Sequence, residues 1–435
     1  MLQTQSQTKQ ASVHTLGCRL NQSETALMAR QLEHSGYKLV PFGDKADLAI
    51  INTCTVTAMA DAKSRRAIRF FIKKNPGAYL AVVGCYSQMG YRAIANIPGV
   101  DLIIGNQEKL NVLHYVNLGK NKEPVIIRDK FLREDFTIDP IGQAKLNTRV
   151  NLKIQDGCDF MCTFCIIPFA RGRARSRKLS NILDEAVTLA QQGTREIILT
   201  GVNLGTYQSE NSTIEPLIHK LNEVPGIQRI RLSSIEPTTI PPGLFKAMND
   251  DTHALLPYLH IPLQSGSNKT LKAMSRKYTR EEFEEFISMA QSRVKDICIG
   301  TDIMVGFPGE TEEDFEDTCC FFKKSPLAYA HVFSYSMRDG TRACGLKGHV
   351  SEAIKKARSA KLRHLSEHKR RHYNASFIGQ IKPVLFEEKD HEFWLGYTCN
   401  FIRVFVKSDK HLKNQIYNVK LSQAAPEGLE GRLCL

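Results

Sequence analysis

The sequence predicts an α/β protein in three parts: an N-terminal doubly wound parallel α/β domain, a central partial (βα)6 barrel and a small C-terminal all-β barrel. Three observations predict it. Apolar strand runs alternate with helical patterns from residue 12 onward. A second such series begins near Leu152, with strand candidates over about 190 residues where a complete eightfold barrel takes about 250. Beyond Gly379 short strands follow one another with no helix between them. The expected boundaries are 1–110, a connector at 111–146, 147–374 and 375–435.

In the first part the strand candidates are "SVHTLGC", "ADLAIINTC", "YLAVVGC" and "VDLIIGN". Between them lie "SETALMARQLEHSG", with Ser23 as N-cap and Gly36 as stop, and "AMADAKSRRAIRFFIKKNPG", ended by Asn75-Pro76-Gly77. The connector includes the polar "NLGKNKEP". The central strands are "LKIQDGC", "REIILTGVN", "RIRLSSIEP", "YLHIPLQSGS", "ICIGTDIMVGF" and "HVFSYS", separated by patterns such as "SNILDEAVTLAQQG". A long basic helical pattern, "SEAIKKARSAKLRHLSEHKRRHYNASF", leads to the tail strands "KPVLFEE", "FWLGYTC", "FIRVFVK" and "QIYNVKLS".

The chain carries 59 Lys and Arg against 45 Asp and Glu, a formal net charge of +14. Such an excess points to a polyanionic partner, most simply nucleic acid. A basic protein that gains only solubility is the plainer alternative. The N-terminal MLQTQSQTKQ lacks the apolar core of a secretory signal, and no run reaches the ~20 apolar residues of a membrane span. A cytoplasmic monomer with no membrane partner is expected. Twelve cysteines in a reducing compartment favour metal binding or catalysis over a disulfide framework.

Cys158, Cys162 and Cys165 stand in "GCDFMCTFC", a Cys-x3-Cys-x2-Cys spacing just after a strand candidate. One short loop of this kind wraps a compact metal centre. Iron–sulfur clusters take cysteine thiolates, and three ligands leave one iron of a [4Fe–4S] cube open to a non-protein ligand. A structural zinc site with a remote fourth ligand is the alternative. With Phe164 before the last cysteine, the loop resembles that of radical S-adenosylmethionine enzymes. The resemblance implies that S-adenosyl-L-methionine chelates the open iron. A one-electron reductant then drives its cleavage to methionine and a 5′-deoxyadenosyl radical.

Ligands on parallel sheets bind at the carboxyl ends of strands. "LTGVN" (Thr200, Gly201, Asn203) lies where the family contacts the methionine amino group. Ser234 and Glu236 in "SSIEP", Gln264 in "PLQSGS", and Thr301 and Asp302 in "GTDIMVGFPGET" suit ribose and adenine contacts. Read singly, such residues serve equally well as helix caps or satisfied carboxylates.

Cys18, Cys54 and Cys85 each close a strand candidate, so a parallel sheet would bring them to one edge. A buried cysteine is commonly a small hydrophobe, but three at equivalent strand ends read as a second set of cluster ligands. An N-terminal α/β domain with this triplet, a radical domain and a small barrel together resemble the methylthiotransferases, whose C-terminal unit is the RNA-binding TRAM domain. "TLGCRLNQSET", "NTCTVT", "VVGCYSQ", "LHIPLQSGSNKTLKAMSRKYT" and "FSYSMRDGTRA" carry the resemblance, which runs from about residue 12 to the end. It implies two [4Fe–4S] clusters and two S-adenosylmethionine molecules. One molecule methylates a sulfur held on the auxiliary cluster at Cys18, Cys54 and Cys85. The other yields the radical that takes a substrate hydrogen, and the substrate radical captures the methylthio group. No side chain is assigned as acid or base. The remaining cysteines, such as Cys319, Cys320 and Cys399, read as structural.

"GCRLNQSE" resembles the branch that methylthiolates carbon 2 of N6-threonylcarbamoyladenosine next to the anticodon of tRNA. Isopentenyladenosine in tRNA and an aspartate of a ribosomal protein are the alternative substrates. A non-catalytic iron–sulfur RNA-binding or electron-transfer protein is the alternative of another class. The implied partner is a tRNA anticodon stem-loop. Arg19 is a candidate partner for the threonylcarbamoyl carboxylate. Arg171, Arg173, Arg175 and Arg177 in "ARGRARSRK", and the long basic helix, are candidates for phosphate contacts. Phe393, Trp394, Tyr397 and Phe401 are candidates for base stacking. Solvated basic faces and a packed barrel core are the plain readings of these same residues.

Overall fold

The computed structural model describes residues 8–139 and 148–434. The N-terminal segment before residue 8 and the end of the expected connector lie outside the described residues. Among those described, no helix is long and apolar enough to cross a membrane.

The first sheet has six parallel strands: β1 (Gln10–Thr15), β2 (Lys38–Leu39), β3 (Leu48–Thr53), β4 (Tyr79–Gly84), β5 (Leu102–Ile104) and β6 (Val125–Ile127). Their order is β2-β1-β3-β4-β5-β6. The central β3 and β4 are buried throughout, because helices cover both faces. Met28 and Leu32 pack on one face, Ile68 and Phe71 on the other. Two strands escaped the sequence reading. β2 is too short to form an apolar run, and β6, though its "VII" is apolar, lies in the segment read as a connector. Helix α1 (Arg19–His34) also begins earlier than expected, with Cys18 and not Ser23 as its N-cap. Ser23 Oγ instead donates to the carbonyl of Asn151, 2.9 Å away. Helix α2 (Ala58–Lys74) is capped by Thr57 and ends at Asn75, as the Asn-Pro-Gly stop predicts.

The central unit contains β7 (Arg149–Lys153), β8 (Gln155–Asp156), β9 (Arg175–Ser176), β10 (Glu196–Thr200), β11 (Gln208–Ser209), β12 (Ser212–Thr213), β13 (Arg229–Leu232), β14 (Tyr258–His260), β15 (Cys298–Val305) and β16 (Tyr329–Ser334). β8–β9 and β11–β12 are small antiparallel pairs. The other six strands are parallel neighbours in chain order, with β13 and β14 joined through the Ile230–Leu255 and Ser234–His260 bridges. This is the expected partial barrel. Val150, Leu152, Ile197, Leu199, Ile230, Leu232, Leu259, Ile299, Ile303 and Val332 share one core with the helices. Strand alternation therefore turns the intervening residues, many of them charged, into the barrel lumen.

Helix Glu352–Ala375 packs along β16, where Ser366 bonds both the amide and the carbonyl of Ala330. Part of its basic face is consequently turned inward. Arg358 is buried and paired with Glu310 and Glu312, so it is withdrawn from phosphate contact. The tail is a closed barrel, β17 (Ile381–Asp390), β18 (Phe393–Thr398), β19 (Arg403–Lys407), β20 (Ile416–Ala425) and β21 (Gly428–Leu433), in the order β17-β18-β19-β21-β20. The fifth strand went unread because "GLEGRL" has too few apolar residues to signal one. Trp394 belongs to this barrel's core, which removes it from the stacking candidates. Tyr397 and Phe401 stack on each other, with Arg149 over the Tyr397 ring and Arg231 over the Phe401 ring.

Those arginines dock the small barrel against the amino-terminal end of the large one. Arg229 donates to the carbonyls of Tyr397 and Pro383, both at 2.9 Å. Arg231 reaches the carbonyls of Cys399 (3.1 Å) and Thr398 (3.4 Å) while its Nε bonds Glu196 at 2.8 Å. Arg149 forks onto Glu387 at 2.6 and 2.9 Å.

At the carboxyl end, a buried ion cluster fastens α1 to the barrel. Arg171 lies at the centre, donating to Glu24 at 3.1 Å, to Asp156 at 3.0 Å and to Asn21 at 2.6 Å. Lys153 bridges the same carboxylates at 2.8 and 2.7 Å, and Lys109 pairs with Glu24. Burial raises the Glu24 and Asp156 carboxyls, but the surrounding Arg171, Lys109 and Lys153 charges overcome it and hold both well below the usual range. A carboxyl depressed on folding contributes stability that is complete above its unfolded value, about 4.5 for Glu24, and is lost as the pH falls below it. Glu24→Gln should therefore cost about 3–5 kcal/mol near neutral pH, because it strands buried cations. Urea unfolding from pH 7 down to pH 3 should show the variant's stability falling less steeply with acid than the wild type's. Parallel acid limbs would contradict the clamp.

Candidate active site

The radical loop is built on local geometry. Gly157, at φ +72°, passes so close to Arg173 that a Cβ would lie 2.0 Å from its carbonyl oxygen, so only glycine fits. Met161 takes the left-handed region and the Cys165 amide bonds the Cys162 carbonyl at 3.0 Å, folding three cysteines into one turn. Thr163 pins the turn to the carbonyls of Met274 and Ala273. Burial, and then the neighbouring thiols, push Cys158 up to about 11 and Cys165 to about 12. Metal ligation reverses that balance, since it takes thiolates. Arg276 Nη1 lies 3.2 Å from Cys162 Sγ, and its Nη2 reaches Glu236 at 2.5 Å. These donors fit a thiolate-bound cluster.

The second triplet converges as the strand-end reading requires. Cys18 caps α1, Cys54 follows β3, and Cys85 opens the short helix after β4. Burial and the charges of Cys85 and Cys18 raise Cys54 to about 12. Gly17, at φ +97°, allows this approach, because a Cβ there would lie 2.8 Å from Cys54 Sγ. Asn106 Nδ2 donates to Cys85 Sγ at 3.4 Å and to the carbonyl of Ala170 at 2.6 Å, tying the triplet to the helix that follows the radical loop. Arg171 ends that helix; burial opposes its charge, and the charges of Cys85, Glu24, Asp156 and Cys18 outweigh that opposition.

The predicted strand-end residues divide into two sets. Thr200 and Thr301 are spent on structure: their hydroxyls donate to the carbonyls of Ile198 (3.0 Å) and Ile261 (2.7 Å) inside the core. Asn203 and Glu236 meet, with Asn203 Oδ1 accepting from the Glu236 amide at 3.3 Å. Asn203 Nδ2 is buried without a partner among the described residues, as expected of a donor kept for a ligand. Gly201 is packed against Gln155, whose Oε1 accepts from the Val202 (2.8 Å) and Asn203 (3.1 Å) amides. Gln155 was missed by the sequence reading because nothing local marks it. Gln264 adopts φ +73°, its amide bonding the Asp302 carbonyl at 2.8 Å. Ser234 pairs across to His260, which bonds Asp302.

The expected arginine grip is corrected. Arg171 and Arg177 are fully buried, Arg177 being paired with Glu185. Arg175 is held by Gln107 at 2.6 Å. Only Arg173 among the four is exposed, loosely paired with Asp159 at 3.3 Å. Arg171 and Arg177 are charged because they satisfy buried carboxylates, not because they face outward. Arg19 turns its guanidinium over the Phe401 ring at 5.8 Å, leaving Nη1 buried without a hydrogen-bond partner among the described residues.

Comparison with known proteins agrees with this arrangement. Residues 10–105 match the model described as "Uncharacterized protein family UPF0004", and residues 152–322 match the "Radical SAM superfamily". The chain is 36% identical over 432 residues to the threonylcarbamoyladenosine tRNA methylthiotransferase MtaB of Bacillus subtilis, covering 96% of this chain and 95% of that protein. It is 34% identical to the tRNA-2-methylthio-N(6)-dimethylallyladenosine synthase of Thermodesulfovibrio yellowstonii, covering 96% and 97%. The solved structure of the radical S-adenosylmethionine methyltransferase TsrM of Kitasatospora setae superposes with a TM-score of 0.55 at 14% identity, over 77% of each chain, a likeness of fold alone. The radical SAM domain implies one [4Fe–4S] cluster and S-adenosylmethionine. With both domains matched and relatives spanning nearly its full length, the chain belongs to the radical S-adenosylmethionine methylthiotransferases.

Proposed function

We propose that this protein methylthiolates carbon 2 of N6-threonylcarbamoyladenosine beside the anticodon of tRNA, using a second [4Fe–4S] cluster at Cys18, Cys54 and Cys85. The observation that carries the reading is the pair of three-cysteine sites tied together through Asn106 and Arg171. When bound, the radical-site cluster with S-adenosylmethionine supplies hydrogen-atom abstraction from an unactivated carbon, and the auxiliary cluster supplies sulfur for transfer. The chain's own residues orient and shield. Asn203 and the Glu236–Arg276 pair form the polar wall above Cys162. Arg171, Lys109 and Lys153, with Arg175 beside Asp156, leave positive charge in excess over Glu24 and Asp156, which suits an anionic cluster at the neighbouring triplet. Arg173, the exposed helix lysines and arginines, and the small barrel supply the RNA-facing surface, and a cellular one-electron reductant serves the radical site.

The relative named for dimethylallyladenosine gives the second reading, isopentenyladenosine in tRNA. The "GCRLNQSE" context and the relative named for threonylcarbamoyladenosine favour the first. Nucleoside mass spectrometry of tRNA from a deletion strain should show loss of the methylthio threonylcarbamoyl nucleoside with its unthiolated parent retained. Persistence of the methylthio form would reject the substrate.

The two triplets should separate by substitution. Cys18→Ala should abolish methylthio product while leaving measurable 5′-deoxyadenosine formation under dithionite. Cys162→Ala should abolish both. Equal loss of S-adenosylmethionine cleavage in folded preparations of the two would contradict the division of labour.

A further inference from the structure

β16 edges the partial barrel and runs between the two halves of the site. Tyr329, His331 and Phe333 alternate along it with the core residues Ala330 and Val332, so they face the lumen side. Just past the strand, Ser336 Oγ accepts from the Ala58 amide at 2.9 Å. Arg338 donates to Thr55 at 3.0 Å, next to Cys54, and pairs with Asp61 at 2.5 Å. Further back, His331 Nδ1 lies 3.5 Å and His260 Nε2 3.0 Å from the same Oδ1 of Asp302. The two imidazole rings are 5.0 Å apart. Asp302 in turn acts on Glu236, the partner of Arg276 beside Cys162. One strand thus spans the interval that a substrate between the triplets would occupy.

Two of its three lumen-side residues are open, and so is Met337 just past the strand. Phe333 is 45% and Met337 55% exposed, and the His331 side chain is 55% exposed. An exposed aromatic ring on an edge strand is a platform for a nucleobase. His331 directs Nδ1 at Asp302, which leaves Nε2 on the other side of the ring. A carboxylate behind an imidazole orients the ring. The free edge of such a ring suits an anionic oxygen.

We propose that His331, positioned by Asp302, receives the carboxylate of the threonylcarbamoyl group while Phe333 stacks against the base. The inference rests on the substrate proposed above. It gives Asp302 a positioning role toward substrate in place of the cofactor contact expected from the sequence. His331 was not singled out there, because "HVFSYS" reads as a plain strand.

Full-length enzyme with both clusters reconstituted would be assayed on synthetic anticodon stem-loops bearing N6-threonylcarbamoyladenosine, its methyl ester or isopentenyladenosine. Wild type should favour the free acid over the ester by about tenfold or more in KM, the worth of one charged hydrogen bond. His331→Phe should lose that preference, with kcat on the acid changed less than roughly threefold. His331→Gln, which keeps a donor, should retain part of it and guards against a folding defect in the first variant. An undiminished preference in His331→Phe with normal cluster absorbance would overturn the assignment. So would loss of the preference in Arg19→Gln alone, which would move the carboxylate to Arg19. A stoichiometric divalent ion other than iron, bound by wild type and lost in His331→Phe, would overturn it in favour of a metal site. Wild type that thiolates the isopentenyl loop and neither threonylcarbamoyl loop would instead overturn the proposed function.

Discussion

Arg171 is the side chain on which the site's geometry depends. It ends the helix after the radical loop, yet its partners Asn21 and Glu24 lie on α1, the helix that Cys18 opens. A guanidinium with no water around it is tolerable only where carboxylates surround it. Glu24 and Asp156 meet that need from opposite domains. The same contacts fix how far the two triplets stand from each other. Radical transfer demands that kind of rigidity, since a small misplacement of reacting groups costs orders of magnitude in rate.

The lumen shows how a polar barrel interior can be stable. Its amino-terminal end is filled by Glu196 among Arg149, Arg229 and Arg231, and the small barrel closes that end. Its carboxyl-terminal end carries the three-cysteine loop of the radical SAM domain. Tyr258 and Tyr329, hydrogen-bonded at 2.7 Å, form the layer between.

Much of this was legible in the sequence for a simple reason: the cysteine spacings and strand–helix alternation are local. Cys158, Cys162 and Cys165 need only a turn, and Cys18, Cys54 and Cys85 need only a parallel sheet. The misreadings arose where burial decides. Four arginines in seven residues look like an RNA grip, but Arg171 and Arg177 are interior. Thr200 and Thr301 stand at the right strand ends and are spent on backbone carbonyls. Gln155 and His331 act through partners remote in sequence, so no spacing reveals them. β2 and β21 lack the apolar run that marks a strand, and their pairing comes from neighbours already in place.

The docking of the small barrel has an evolutionary corollary. Arg229 and Arg231 address carbonyl oxygens of residues 383 and 397–399, not their side chains. Every amino acid offers that acceptor. At those contacts the attachment constrains the path of the chain and leaves the side chains free to drift, whereas Glu387, Tyr397 and Phe401 meet the arginines with their side chains. A module held largely by its backbone can change its exposed surface, residue by residue, without coming loose from the enzyme that carries it.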